Sequence, residues 1–267
     1  MDSMRIRQVL ALGLGLALVA GVFAPAPASA ELLQEILKKS VVRVGVPIDV
    51  PPFGFTDSDG KPVGFDIDMA NMLAKDLGVK LELQQITGIN RVPYLLTNKV
   101  DIVIAVMGAT PQRAQQVAFT APYAGLFLGV YGPRGLAVKS AADLGTRKVG
   151  LPRGTTQDIS LTEMAPRANI VRFEDDATSA AAFLSGQTDL IATANIVALD
   201  LIKKNPAKAI ELKFVIRLSP AHIAIRHGEP DLLRWLDTFI FFHKLNGNIG
   251  KLHEKWLNEK MQDLPTF

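Results

Sequence analysis

Arg113 is the side chain whose type and place point most directly to chemistry. It follows Thr110 and Pro111 at the opening of a short helix, just beyond the carboxyl end of the apolar run Asp101–Val106. A guanidinium presents a planar fork that grips a carboxylate through two parallel hydrogen bonds. The plain alternative is a surface arginine paired with a carboxylate of the protein. Gly154-Thr155-Thr156 comes next. A glycine turn that opens a helix leaves backbone N–H groups unpaired, and these favour an anion; the alternative is an ordinary helix cap. No paired carboxylates and no Ser/His/Asp grouping demand catalysis. There are no cysteines. His222, His227, His243 and His253 lack metal-ligand spacing, so no metal or other cofactor is expected.

Residues 1–30 bear on the compartment. Arg5 and Arg7 give a positive start, Val9 to Ala24 is an unbroken apolar run, and Ala28-Ser29-Ala30 offers a small-residue cleavage site. That order reads as a secretory signal peptide, cleaved on export. An uncleaved anchor is the alternative, although a span needs about 20 apolar residues and Pro25 and Pro27 follow the run. No later segment is long and apolar enough to cross a membrane. Removing Asp2, Arg5 and Arg7 lowers the formal charge from +3 to +2. That balance is too weak to argue for nucleic acid or an anionic membrane surface.

Strands and helices alternate twice along the chain. Val41–Val46 is a β-branched strand and Pro47–Gly60 a loop. Phe65–Leu77 has helical spacing with Asp66 and Asp68 in its first turn and Gly78 as a stop. Strands follow at 79–84 and 101–106, with a helix at 90–96 between them and another at 110–116. A second run places strands at 127–131, 148–151, 170–173, 189–193, 213–216 and 222–226. Helices are expected at 156–164, 177–184 (capped by Asp175 or Asp176), 198–204, 232–245 and 250–258. Two such runs imply an α/β protein with mostly parallel sheets, whose ligands sit beyond strand carboxyl ends.

Four segments in order carry a resemblance: Gly64-Phe-Asp-Ile-Asp-Met-Ala70; Lys99–Ile104 with Thr110-Pro-Gln-Arg113 and Phe119-Thr-Ala-Pro-Tyr123; Asp143–Gly150 with Gly154-Thr-Thr-Gln-Asp158; and Asn246-Gly-Asn248 with Lys255-Trp256. Over residues 41–258 the chain resembles the bacterial periplasmic solute-binding proteins of polar amino-acid ABC transporters. The resemblance implies a two-lobed periplasmic-binding-protein (type II) fold with the ligand between the lobes. Lobe 1 would be 41–126 plus 219–267 and lobe 2 would be 127–218, joined by two hinge strands.

It also implies roles. Arg113 would bind a ligand α-carboxylate, with Gly108 and Thr110 touching ligand from the same lobe and Thr156, beside Thr155, holding the carboxylate from the other. The family's usual ammonium anchor, an Asp, falls at Ala194 here. Either the ammonium finds another oxygen, on Asn195, Asp49 or Asp158, or the ligand carries none there. The family often stacks an aromatic ring from the first loop. Val50 holds that place, leaving Phe53 as the candidate, or else as a core residue. Arg91 could face an acidic ligand side chain or merely solvate its helix end.

The leading expectation is a monomeric receptor that captures a small amino acid or related carboxylate and delivers it to a membrane permease. An enzyme of the cyclohexadienyl-dehydratase kind on the same fold is the alternative, and it would need a positioned general acid. An extracellular sensor is a third.

Overall fold

The computed structural model describes residues 32–261 and Leu264. The signal-peptide reading of residues 1–30 lies outside the described residues. Among the described residues, thirteen strands form three sheets. The first sheet contains β1 (Val41–Val46), β5 (Lys80–Gln85), β6 (Ile102–Gly108), β7 (Val117–Ala124) and β13 (Ala221–Arg226), in the order β5-β1-β6-β13-β7. The second contains β8 (Phe127–Pro133), β9 (Lys148–Pro152), β10 (Asn169–Phe173), β11 (Leu190–Ala194) and β12 (Ile210–Leu218), in the order β10-β9-β11-β8-β12. A small antiparallel sheet of β2 (Asp49–Val50), β3 (Gly54–Thr56) and β4 (Pro62–Val63) occupies the loop after β1.

In each large sheet four strands run one way and one, β13 in the first and β8 in the second, runs against them, between the parallel trio and the last strand. Parallel strands need helical crossovers, and the helices cover the faces. Each sheet with its helices is one lobe of the fold. The chain passes from the first sheet to the second between β7 and β8, and returns between β12 and β13. These two crossings touch: the Ser219 N–H donates to the Leu126 carbonyl at 2.9 Å.

Three elements depart from the expectation. Phe119–Tyr123 lies inside β7, which is not among the expected strands and contains Pro122. β7 is the edge of its sheet, where a missing N–H costs no ladder bond. Helix Asn195–Lys204 starts three residues earlier than expected, directly after β11. At the other end of the chain, the expected helix 250–258 is split into an α-helix, Asn248–Leu252, and a π turn, His253–Leu257.

Helix Phe65–Leu77 anchors the first lobe. Its first residue, Phe65, is fully buried, stacks on Tyr123 at 5.9 Å and meets Phe53 and His253 edge-on. The neighbouring Asp66 is also fully buried. Its Oδ1 accepts the Tyr123 hydroxyl at 2.7 Å, while Oδ2 has no partner among the described residues. The same hydroxyl accepts the Val106 N–H at 3.1 Å, so this buried carboxyl reaches β6 through one side chain.

Burial pushes the Asp66 carboxyl up to about 7, from an ordinary value of 3.8, against the opposing pull of the Tyr123 hydroxyl and the Arg91 charge. The folded pKa exceeds the unfolded one, so the folded state holds the extra proton between the two values. Stability therefore falls as pH rises through that window. Asp66→Asn keeps an acceptor for Tyr123 and removes the titration. Its stability relative to the unsubstituted chain should be better at pH 8 than at pH 5 by on the order of 2 kcal/mol. Denaturant unfolding at the two pH values checks this, and parallel pH curves would refute it.

Candidate functional site

Strand β6 ends in an irregularity that sets up the site. Met107 pairs with His222 and Ile104 with Ile223, so Ala105 and Val106 are extra residues in the ladder. Val106 has φ +48°, a left-handed conformation that β-branched residues rarely adopt. A bulge of this kind re-aims the chain beside functional sites. Beyond it, Thr110 caps helix Pro111–Ala114: its Oγ1 accepts the Arg113 N–H at 3.2 Å, and Pro111 fills the first helical position.

That turn drives Arg113 into the seam between the lobes, where it is only 6% exposed. Its Nη1 donates to the Gly108 carbonyl and to Thr156 Oγ1, and its Nη2 donates to the Gly154 carbonyl, each at 2.8 Å. One guanidinium thus bridges both lobes. Burial, with the nearby Arg91 and Arg217 charges, lowers its pKa to about 9, which leaves it charged at neutral pH.

Across the seam, Thr155 caps helix Thr156–Met164. Its Oγ1 accepts the Asp158 N–H at 3.3 Å and donates to the Pro152 carbonyl at 2.8 Å. Asp158 is engaged within this lobe. It accepts the Gly154 N–H and pairs with Arg172 at 2.8 Å, so it is not free to meet a ligand cation. The Thr156 and Gln157 N–H groups open the helix, where no intrahelical acceptor exists for them.

A cavity of about 30 Å³ lies on the seam, with room for about one or two water molecules. Val50, Arg91 and Val106 line it from the first lobe, and Leu126 and Ser219 from the crossings. Leu128, Thr155, Thr156, Gln157, Asp176, Thr193, Ala194 and Val197 line it from the second. An amino acid needs more space than this, so ligand entry requires the seam to widen. Among the described residues, no group of three acidic or histidine side chains is placed to hold a metal ion.

The nine residues singled out by sequence separate into groups. Arg91, Thr155 and Thr156 line the cavity. Arg113 and Gly108 do not line it but lie against Thr156, which does, whereas Thr110 faces a separate pocket beside Pro111 and Phe119. Asp49 lies at the seam, where its Oδ2 accepts the Asp176 N–H at 3.0 Å. Phe53 is a core ring, fully buried on Phe65, and not a lid; Val50 has the cavity surface. Asn195 turns its Oδ1 back to the Phe127 N–H at 3.0 Å, fixing the start of β8. That oxygen serves the hinge instead of facing the cavity, because helix Asn195–Lys204 begins at this residue.

Sequence reasoning missed Asp176. It noted Asp175 and Asp176 as alternative caps of one helix. Asp175 makes the capping box with Thr178, and Asp176 is thereby left to face the first lobe. Burial and the adjacent Asp49 push the Asp176 carboxyl up to about 7.

Two glycines permit the close approach of the lobes. A Cβ at Gly108 would collide with Ser219 Oγ and lie 2.9 Å from Thr156 Oγ1; one at Gly88 would lie 2.6 Å from Arg153 O and Thr155 Cγ2.

Two lobes, two touching crossings and a small cavity between them are the architecture of a two-lobed binding protein. Comparison with known proteins agrees. Residues 42–259 match the family described as bacterial extracellular solute-binding proteins, family 3, and the chain belongs to that family. It is 30% identical over 253 residues to the L-cystine-binding protein of Escherichia coli (strain K12), covering 94% of this chain and 95% of that one. The crystal structure of the cysteine-binding protein from Campylobacter jejuni has a TM-score of 0.81 at 30% identity, over 87% of this chain and 95% of that chain. An ancestral amino-acid-binding protein described as a precursor of cyclohexadienyl dehydratase has a TM-score of 0.77 at 36% identity, over 84% and 99%.

Gly108→Ala should push Thr156 away across the seam and oppose closure. We expect affinity for the preferred ligand to fall at least about tenfold, or ~1.4 kcal/mol, with secondary structure retained. Titration calorimetry and circular dichroism measure the two, and unchanged affinity would show that closure does not need this approach.

Proposed function

We propose that this chain is a periplasmic receptor that captures a small amino acid or related carboxylate by lobe closure and delivers it to an ABC-transporter permease. It would act as a monomer, with lobe 1 at 41–126 plus 219–267 and lobe 2 at 127–218. The observation that carries the proposal is Arg113, buried on the seam with Gly108 on one side and Thr156 and Gly154 on the other. A ligand carboxylate entering beside Thr156 would meet this guanidinium, the Thr156 hydroxyl and the helix N–H groups together. Charge-assisted bonds of that kind are roughly twice as strong as neutral ones, and holding one anion from both lobes favours the closed form. The family supports a binding role, as do relatives named for binding cystine and cysteine. Membership of an extracellular family supports the periplasmic assignment, and among the described residues no helix is long and apolar enough to cross a membrane.

Asp176 favours weighing an enzyme as well. A carboxyl raised to about 7 at the seam cavity suits a general acid, and one structural relative is described as a dehydratase precursor. We expect no turnover, because no second carboxylate or base lines the cavity among the described residues. Incubation with prephenate and detection of released carbon dioxide checks this.

The receptor reading is tested by a thermal-shift screen over amino acids and amine-free carboxylates, followed by calorimetry. A ligand that binds only the folded state raises the melting temperature. Arg113→Ala should then lower affinity at least about tenfold, ~1.4 kcal/mol. Full affinity in that variant would remove the carboxylate role.

A further inference from the structure

Arg91 is 5% exposed, lines the seam cavity and donates no hydrogen bond among the described residues; its Nε is fully enclosed without a partner. The local sequence explains how it arrives there. It is the first residue of helix Arg91–Leu96, with Asn90 before it accepting the Thr87 N–H at 2.9 Å. A guanidinium is a cation with five donors, so enclosing any of them unbonded is costly. The charges of Asp49, Asp66 and Asp176 offset part of that cost at longer range. None of the three forms an ion pair with it.

Asp176 faces the same cavity from the opposite lobe. Its N–H is bonded to Asp49, but its carboxylate accepts no hydrogen bond among the described residues. Ala194, where the family's ammonium anchor is expected, lines the cavity as well and offers no charge. The cavity therefore has one cation and one anion whose bonding groups the protein leaves unused, next to the Arg113–Thr156 pair.

We infer that the ligand is an amino dicarboxylate: one carboxylate against Arg113 and Thr156, the ammonium against Asp176, and a second carboxylate against Arg91. This deepens the receptor reading and rests on it. The charges match in kind: two guanidinium groups for two carboxylates, and the Asp176 carboxylate for the ammonium. A neutral amino acid would leave Arg91 enclosed and unbonded, and a cationic one would place like charge beside it. A diamino dicarboxylic acid such as cystine also supplies the second carboxylate.

The test is calorimetry on the purified protein with L-glutamate, L-aspartate, L-cystine, glutarate, L-glutamine, L-cysteine and L-arginine. At least one of glutamate, aspartate and cystine should bind tenfold or more tightly than glutamine, cysteine and arginine. Arg91→Gln should erase that preference, and Arg91→Lys should retain part of it. Asp176→Asn should weaken the amino dicarboxylates at least tenfold more than it weakens glutarate. Circular dichroism confirms that each variant is folded. Glutamine, cysteine or arginine binding as tightly as the dicarboxylates would overturn this inference and leave the receptor reading in place. So would an undiminished preference in Arg91→Gln. Binding of none of the seven would overturn both.

Discussion

The contact of Arg113 with both lobes is the constraint on which the rest of the site depends. A charged group 6% exposed must have its donors met, because a buried cation without partners costs several kcal/mol. Here three oxygens meet three of its five donors, and two of those oxygens belong to the opposite lobe. Separating the lobes therefore strips the guanidinium of most of its partners and returns it to water. Closing them requires oxygens to be in place as water leaves. The Arg113 environment is in this way tied to a single variable, the width of the seam.

Several features make that narrow seam attainable. The extra residues Ala105 and Val106 turn the end of β6 toward the second lobe, and the Tyr123 hydroxyl holds Val106 through its N–H. Asp66, on the first turn of a helix in the lobe core, holds Tyr123 in turn. Gly88 and Gly108 keep the facing surfaces free of side chains where they meet. The Ser219–Leu126 bond links the two crossings at the cavity edge, so both connecting segments bend at neighbouring points. A hinge of two such segments allows rotation of one lobe against the other while each sheet stays intact.

Much of this was legible in the sequence, for physical reasons that differ by residue. Helix Phe65–Leu77 was readable because its start and its glycine stop are both local signals. The Arg113 and Thr156 segments were readable because Pro at a first turn and Gly-Thr-Thr before a helix fix backbone direction. The β7 strand was hidden by Pro122, whose effect depends on whether a strand is central or at an edge. Asp176 was hidden because choosing between two adjacent caps decides which carboxylate faces away, and that choice is made by side-chain bonds with Thr178. Phe53 and Asn195 were placed by counting along the chain. Packing on Phe65 and a bond to Phe127 decided their directions instead, and neither partner is close in sequence.

The oxygens that now meet Arg113 also bear on how a ligand shifts the balance between open and closed forms. A ligand moves that equilibrium only by the difference in its affinity for the two states. The Gly108 and Gly154 carbonyls and the Thr156 hydroxyl are neutral acceptors, so the closed form without ligand already recovers part of what Arg113 loses on leaving water. A carboxylate adds charge-assisted bonds to the same guanidinium and to helix N–H groups that have no intrahelical acceptor. The ligand's leverage is then the excess of those bonds over the neutral ones, together with any partner it brings to Arg91. A side chain already satisfied in the closed state contributes little to that difference, and one left unbonded contributes most. By that criterion Arg113 governs whether the lobes can close at all, whereas the groups at the far end of the cavity govern which molecule makes closure favourable.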